Sequence, residues 1–198
     1  MIQSFEECHD IQSVLDQTLA RGLRLSKAEL GTVQLMDWKT GSLTIASQRG
    51  FGEEFLTFFK SVTYRDGSPC ARALRRREQI IVEDVTSDVE FTSCQAIARC
   101  AGFRAVQSTP IVSSSGAFIG VLSTHFPSPH KPGDATMAAL RVLAREAGDA
   151  VIFRRSAMSD FSFVLERSRQ ALQDSYRVLR RANRAPHTHR SYGRALSD

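Results

Sequence analysis

Apolar residues recur at intervals of three and four between Phe5 and Leu25. The set is Ile11, Val14, Leu15, Thr18, Leu19 and Leu23. This spacing places the apolar side chains on one face of an α-helix. The sequence therefore predicts an amphipathic first helix, with Gly22 near its end.

Two short apolar runs follow, Thr32 to Met36 and Leu43 to Ala46, and the polar segment 37–41 joins them. Strand-length runs connected in this way predict a β-hairpin. Farther along, two acids precede phenylalanines and a leucine at helical spacing. A second, shorter helix is predicted over Glu53 to Val62.

The middle of the chain combines turn formers with short apolar runs. Ser68 and Pro69 predict the start of a helix, because proline favours the first helical position. The β-branched run Ile80 to Val82 predicts a strand. Residues Asp84 to Gly102 predict a loop and one irregular helix.

Two further strands are predicted over Ala105 to Val112 and Ala117 to Phe126, with a turn at 113–116 between them. Asp134 then begins a long helix with one apolar stripe. The stripe consists of Met137, Leu140, Leu143, Ala144, Ala147, Val151 and Ile152. This helix is expected to face a core or a partner.

The order of these elements predicts an α/β fold of the α+β type. About six strands form a central antiparallel sheet flanked by helices, and a long C-terminal helix follows. We predict a domain over 1–155 and, from apolar residues spaced by seven, a coiled-coil-like helical extension over 156–181. The aperiodic segment 182–198 is predicted to be a disordered basic tail.

The net charge of +5 belongs to one end of the chain. From Arg154 onward ten arginines stand against four acids, whereas the preceding residues contain sixteen basic and seventeen acidic side chains. The arginines of the tail can contact nucleic-acid phosphates or form a solvated helix face. Nucleic acid is not the expected partner, because Tyr176 and Tyr192 are the only aromatic residues in or directly before the arginine-rich stretch from Arg177 to Arg194.

The chain has no run of about 18 apolar residues and no basic, apolar leader at its start. We therefore expect a cytoplasmic protein without a membrane partner. The four cysteines are Cys8, Cys70, Cys94 and Cys100. They lack paired CxxC spacing, so the sequence predicts neither a metal site nor a disulfide framework.

Four strings carry a resemblance to a known family. They are Gly67 to Leu74 (GSPCARAL), Ile81 to Val85 (IVEDV), Arg104 to Ile111 (RAVQSTPI) and Gly120 to Phe126 (GVLSTHF). Together they resemble GAF domains of bacterial sensor proteins, of the type that precedes a coiled coil and a histidine kinase. The resemblance covers Asp10 to Phe153. It implies a GAF/PAS-like sheet and a regulatory module of signal transduction, not an enzyme.

The resemblance also implies a place for a small molecule, between the sheet and the helices of segments 51–73 and 91–102. Its candidate wall is Phe55, Phe59, Cys70, Phe91, Cys94 and Ile97, with Ser108, Ser123 and His125 as polar contacts. Strand residues two apart share a face, but alternation does not say which face. The aromatic residues can therefore fill a core instead, with the polar residues pointing at helices or solvent.

Individual ligand classes have their own motifs within the family. The Asn-Lys, Phe and Asp-Glu set of cyclic-nucleotide-binding GAF domains is missing from this sequence. Cys8 falls in the predicted first helix without chromophore motifs, which disfavours a bilin. His125 is the candidate axial ligand for haem, but an isolated histidine is more often structural. No cofactor is assigned.

An enzymatic alternative rests on two cysteines. Free methionine-R-sulfoxide reductases are GAF domains with thiols near the positions of Cys70 and Cys94, which also suit a thiol redox switch. Ser123 and His125 stand where that family carries acidic residues, so no catalytic residue is predicted. We expect a homodimer through the terminal helices that acts on a separate histidine kinase or other signalling protein.

Overall fold

The computed structural model describes residues 5–157. The chain divides into two compact units, Met1–Arg155 and Ser156–Asp198, and the first is described here. From residue 158 onward the predicted coiled-coil-like extension and the predicted basic tail lie outside the described residues.

The elements of the described part alternate much as the sequence indicates. The helices are α1 (Ile11–Ser26), α2 (Glu53–Phe58), α3 (Pro69–Arg76), α4 (Gln95–Ala101) and α5 (residues 134–157); the strands are β1 (Leu30–Asp37), β2 (Ser42–Arg49), β3 (Ile80–Val82), β4 (Ala105–Val112) and β5 (Phe118–Phe126). Short 3₁₀ turns at Phe5–Glu7 and Thr92–Cys94 precede α1 and α4.

The strands form one antiparallel sheet in the order β2-β1-β5-β4-β3. The described residues thus contain five strands, which corrects the expected number of about six. An isolated bridge joins Leu43 of β2 to Val62 through backbone hydrogen bonds of 2.7 and 2.9 Å. Helix α2 ends at Phe58 instead of reaching Val62, because Val62 lies in this extended pairing.

The first helix also differs from its prediction. It begins at Ile11, because the carboxylate of Asp10 accepts a 2.7 Å hydrogen bond from the Ser13 backbone and caps the helix. Residues Phe5–Glu7 form a separate 3₁₀ turn. Cys8 therefore precedes the helix instead of lying within it.

Strand β5 lies at the centre of the sheet, and all nine of its residues are buried. Apolar residues of α1 and α5 cover one face, with Leu122 and Val33 beneath them. A second apolar cluster covers the other face, and its phenylalanines come from α2, from β5 and from the loops beside α2 and α4. The two faces of the sheet therefore have separate cores.

Polar contacts fix the terminal helices on their face of the sheet. Arg21 of α1 forms a 2.9 Å ion pair with Glu146 of α5. Asp149 of α5 accepts hydrogen bonds of 2.7 and 2.6 Å from Ser114 in the turn between β4 and β5. Helix α5 is thus bonded both to α1 and to the β4–β5 hairpin.

Gly120 of β5 provides a test of the sheet's packing. A Cβ at this position would fall well inside van der Waals contact of the Gln34 carbonyl group on β1, which cannot move without breaking the sheet. Gly120→Ala should therefore lower the free energy of unfolding by roughly 2–3 kcal/mol, measured by urea denaturation. Gly133→Ala is the matched control, because a Cβ there meets nothing within 4 Å. Equal stability of the two variants would contradict this packing.

Candidate functional site

A small cavity of about 20 Å³ lies between the sheet and the covering segments on the phenylalanine-rich face. Its walls are Thr32, Gln34, Ile45, Phe55, Phe59, Ser68, Pro69, Cys70, Phe91, Phe103, Val106, Ser108, Ser123 and His125. All of these residues are buried except Ile45, which is half-buried. The volume suffices for about one water molecule.

Three neighbouring strands provide the polar floor of the cavity. Ser108 of β4 and Ser123 of β5 are paired across the sheet, and their hydroxyl oxygens lie 2.7 Å apart. Thr32 of β1 is the partner of Ser123 on its other side. Since strand residues two apart share a face, His125 lies on the same side as Ser123.

His125 is enclosed by aromatic rings. Its ring centroid lies 4.9 Å from that of Phe51 and 4.7 Å from that of Phe103, and both contacts are edge-to-face. Burial lowers the pKa of His125 to about 3, although a hydrogen bond to the Leu30 backbone opposes this shift. The imidazole is therefore neutral at pH 7, and its Nδ1 has no hydrogen-bond partner among the described residues.

Gln34 is a wall residue that the sequence did not single out. Its side chain is only 2% exposed, and its Oε1 lacks a hydrogen-bond partner in the described part of the chain. Thr32 lies two residues before it on the same strand face. Thr32 and Gln34 alternate with the apolar Val33 and Leu35, which marks one face of β1 as polar. This alternation is the sequence signal that could have identified Gln34.

Helix α2 and its flanks cover the cavity with stacked rings. The centroids of Phe51 and Phe55 are 3.7 Å apart with nearly parallel planes, and Phe59 follows at 4.7 Å from Phe55. The helix begins at Glu53, and the preceding Gly52 provides no side-chain cap. On the opposite side the wall comes from the start of α3 and from Phe91.

A buried arginine holds the loop that leads to Phe91. Arg72 of α3 is 5% exposed; its guanidinium group donates two 3.0 Å hydrogen bonds to Asp88 and lies 3.3 Å from Glu90. Arg76, on the exposed side of the same helix, contacts Glu90 at 3.3 Å. The loop over this edge of the cavity is therefore attached to α3 chiefly through Arg72.

The fold brings together seven of the nine candidate residues. Those that line the cavity are Phe55, Phe59, Cys70, Phe91, Ser108, Ser123 and His125. Cys94 is buried in the adjoining apolar cluster but does not line the cavity. Ile97 lines a separate outer pocket between α2 and α4, together with Cys100.

The pKa values of Cys70 and Cys94 are shifted in the direction opposite to that of a reactive cysteine. Burial raises the pKa of Cys70 to about 11 and also raises the pKa of Cys94. Both side chains are therefore protonated at neutral pH, whereas a nucleophilic cysteine needs a lowered pKa. Cys8 is buried on the terminal-helix side of the sheet.

Two further properties of the described residues bear on function. They contain no group of three or more His, Cys, Asp and Glu side chains that could hold a metal ion. None of their helices combines the length and the apolar character needed to span a membrane.

The burial of His125 predicts how stability depends on pH. Below its ordinary pKa of 6.5 the unfolded chain takes up a proton, whereas the folded chain does so only near pH 3. This contribution to stability is complete above pH 6.5 and is lost as the pH falls toward 3, with a cost of about 2 kcal/mol at pH 5. In urea titrations at pH 7.5 and 5, His125→Phe should lose less stability than the wild type by about this amount. An equal loss in both proteins would contradict the neutral, buried imidazole.

Arg72 can be tested against a neighbour on its own helix. Arg72→Met leaves the carboxylate of Asp88, which is 19% exposed, without its cation. We expect a loss of about 2 kcal/mol in the free energy of unfolding and faster amide exchange over residues 84–91. Arg76→Met should cost less than about 0.5 kcal/mol, since that side chain is 51% exposed. Equal effects would show that Arg72 does not hold this loop.

Comparison of the domain with solved structures identifies the same fold in other proteins. A domain of a two-component sensor histidine kinase protein from Sinorhizobium meliloti 1021 is 20% identical, with a TM-score of 0.65 over 77% of this chain and 97% of that chain. The GAF domain of an Acinetobacter phosphoenolpyruvate-protein phosphotransferase is 14% identical, with a TM-score of 0.65 over 78% and 90% of the two chains.

An enzyme shares the fold as well. The free methionine-R-sulfoxide reductase of Neisseria meningitidis, solved with its substrate, is 20% identical, with a TM-score of 0.60 over 75% of this chain and 81% of that chain. No curated protein matches the chain. The family model of the GAF domain matches residues 8–151, which is more than half of the sequence. The chain therefore belongs to the GAF domain family.

Proposed function

We propose that this GAF domain is a sensory module that binds a small molecule in the cavity and transmits its occupancy to the terminal helices. The observation that carries the proposal is the buried polar floor beneath the phenylalanines, where Nδ1 of His125 and Oε1 of Gln34 lack partners among the described residues. Unpaired polar atoms are costly in a protein interior. A site for an external group explains why they are there.

The route of transmission follows from the geometry of β5. Ser123 and His125 face the cavity, whereas Leu122, the residue before Ser123, packs under α1 and α5. Asp149 of α5 is bonded to Ser114 at the turn that precedes β5. A ligand that displaces the hairpin therefore also displaces α5, and the ligand's differential affinity for the two arrangements drives the change.

We further propose that the signal leaves through a homodimer in the cytoplasm. Val142 and Phe153 of α5 are 58% and 70% exposed, which is unusual for large apolar side chains and suits an interface. The predicted helical extension 156–181 would prolong that interface. The output would be a separate histidine kinase or another signalling protein, with contact between the basic segment 182–198 and nucleic acid as the alternative.

Methionine sulfoxide reduction is the enzymatic alternative, supported by the fold shared with the Neisseria enzyme. The raised pKa values of Cys70 and Cys94 weigh against it. Addition of free methionine-R-sulfoxide and a dithiol to the purified chain would decide the matter. Turnover would replace the sensory proposal with the enzymatic one.

Native mass spectrometry of the full chain, purified gently from the cells that produce it, tests the proposal. We expect a dimer that retains the mass of a small molecule. Ser123→Leu should abolish the added mass, because the larger side chain occupies a cavity of only about 20 Å³. Thr44→Leu, at an exposed position of β2, is the matched control and should retain the added mass.

The possible outcomes separate the parts of the proposal. A dimer without added mass would contradict ligand binding and leave a protein-interaction adaptor. A monomer would contradict the dimer. Circular dichroism of Ser123→Leu must match the wild type, so that loss of the ligand is not mistaken for loss of the fold.

A further inference from the structure

We propose that the ligand of this cavity is an uncharged molecule that donates hydrogen bonds to Nδ1 of His125 and Oε1 of Gln34. This inference rests on the proposed function, since it concerns the same cavity. It adds the chemical class of the ligand.

Two buried acceptor atoms imply that the ligand donates hydrogen bonds. Nδ1 of His125 has no partner among the described residues, so the bond of this ring to the Leu30 backbone uses Nε2. That bond favours the protonated ring, and Nε2 therefore donates to the Leu30 carbonyl. In a neutral imidazole the other nitrogen then carries a lone pair. Oε1 of Gln34 is likewise only an acceptor, so both groups need an N–H or O–H from elsewhere.

The rest of the floor leaves these two atoms to the ligand. The hydroxyl groups of Ser108 and Ser123 already bond each other at 2.7 Å. The hydroxyl of Ser68 lies 3.2 Å from the sulfur of Cys70 and also caps α3. In each of these pairs one group donates and the other accepts, whereas Nδ1 of His125 and Oε1 of Gln34 accept from no described residue.

The electrostatics of the wall exclude charged ligands. None of the residues that line the cavity is an Asp, Glu, Lys or Arg. The imidazole of His125 is neutral at pH 7, and the thiol of Cys70 is protonated. An ion would lose its hydration here without gaining a counter-charge, which is strongly unfavourable. A neutral molecule pays no such penalty.

We expect a ligand to enter the cavity beside the ring of Phe55. This side chain lines the inner cavity and also an outer pocket of about 190 Å³, whose wall includes Glu53, Ile97 and Cys100. Its ring thus separates the cavity from the outer pocket. Helix α2, which carries it, has six residues and no side-chain cap, so it resists displacement weakly. A ligand larger than water therefore enters between α2 and α4 by displacing this ring.

Four planar small molecules of nearly equal size distinguish the effect of a hydrogen-bond donor on binding from the effect of charge. Acetamide is neutral with an N–H donor, acetone is neutral without one, acetate is an anion and acetamidinium is a cation. Each is titrated into the full chain, and ¹⁵N NMR follows the His125 ring nitrogens and the Gln34 side-chain amide. We expect saturable shifts with acetamide and none with the other three at the same concentrations.

Variants assign the shifts to the two acceptors. Gln34→Leu should weaken acetamide binding about tenfold, as removal of one buried hydrogen bond predicts. His125→Phe should weaken it to a similar extent, followed through the Gln34 amide. Gln12→Leu, on the exposed surface of α1, is the matched control and should bind acetamide like the wild type.

Failure of this inference differs from failure of the proposed function. Shifts with acetone, acetate or acetamidinium would overturn the ligand class but leave a ligand-binding cavity. If no probe shifts the His125 ring, the donor inference is overturned. Ligand binding itself is contradicted by a native mass measurement that finds no bound molecule, whichever probes shift the ring.

Discussion

The burial of β5 on both faces is the constraint on which the rest of the domain depends. A strand covered on both sides has no water to satisfy its polar side chains, so each must find a partner within the protein or remain unpaired. Ser123 finds the hydroxyl of Ser108 at 2.7 Å. One polar atom of His125 and one of Thr124 have no such partner in the described part of the chain. The centre of the sheet therefore has polar atoms without a hydrogen-bond partner among the described residues on both of its faces.

The two layers that cover this sheet differ in stiffness. On one face lie α1, of sixteen residues, and α5. An ion pair joins these two helices, and hydrogen bonds join α5 to the β4–β5 hairpin. On the other face lie α2, α3 and α4, of six, eight and seven residues. Helices this short have little stability of their own. Movement in response to a ligand is therefore expected first in the cavity's cover, and the terminal helices follow through β5.

Local signals in the sequence predicted much of the fold. Strands β3 and β4 have the predicted bounds, and Asp134 begins the last helix as expected, because β-branched runs, turn residues and caps act over a few positions. The choice of sheet face was not predictable, since alternation is symmetric until the packing partners are known. For the same reason Gln34 was missed. Cys94 lies in a 3₁₀ turn, so its position outside the cavity depends on loop packing that sequence spacing does not give.

Core packing and ligand binding are competing explanations of the phenylalanines in the sequence, and under the proposed function the same side chains would serve both. Phe55, Phe59 and Phe91 belong to the apolar cluster and also line the cavity. The space among them holds about one water molecule, so anything larger must separate rings that now pack together. Under the proposed function, a ligand that displaces Phe55 couples its binding to the position of α2. Its differential affinity for the two positions of the ring then shifts the equilibrium between two arrangements of the domain.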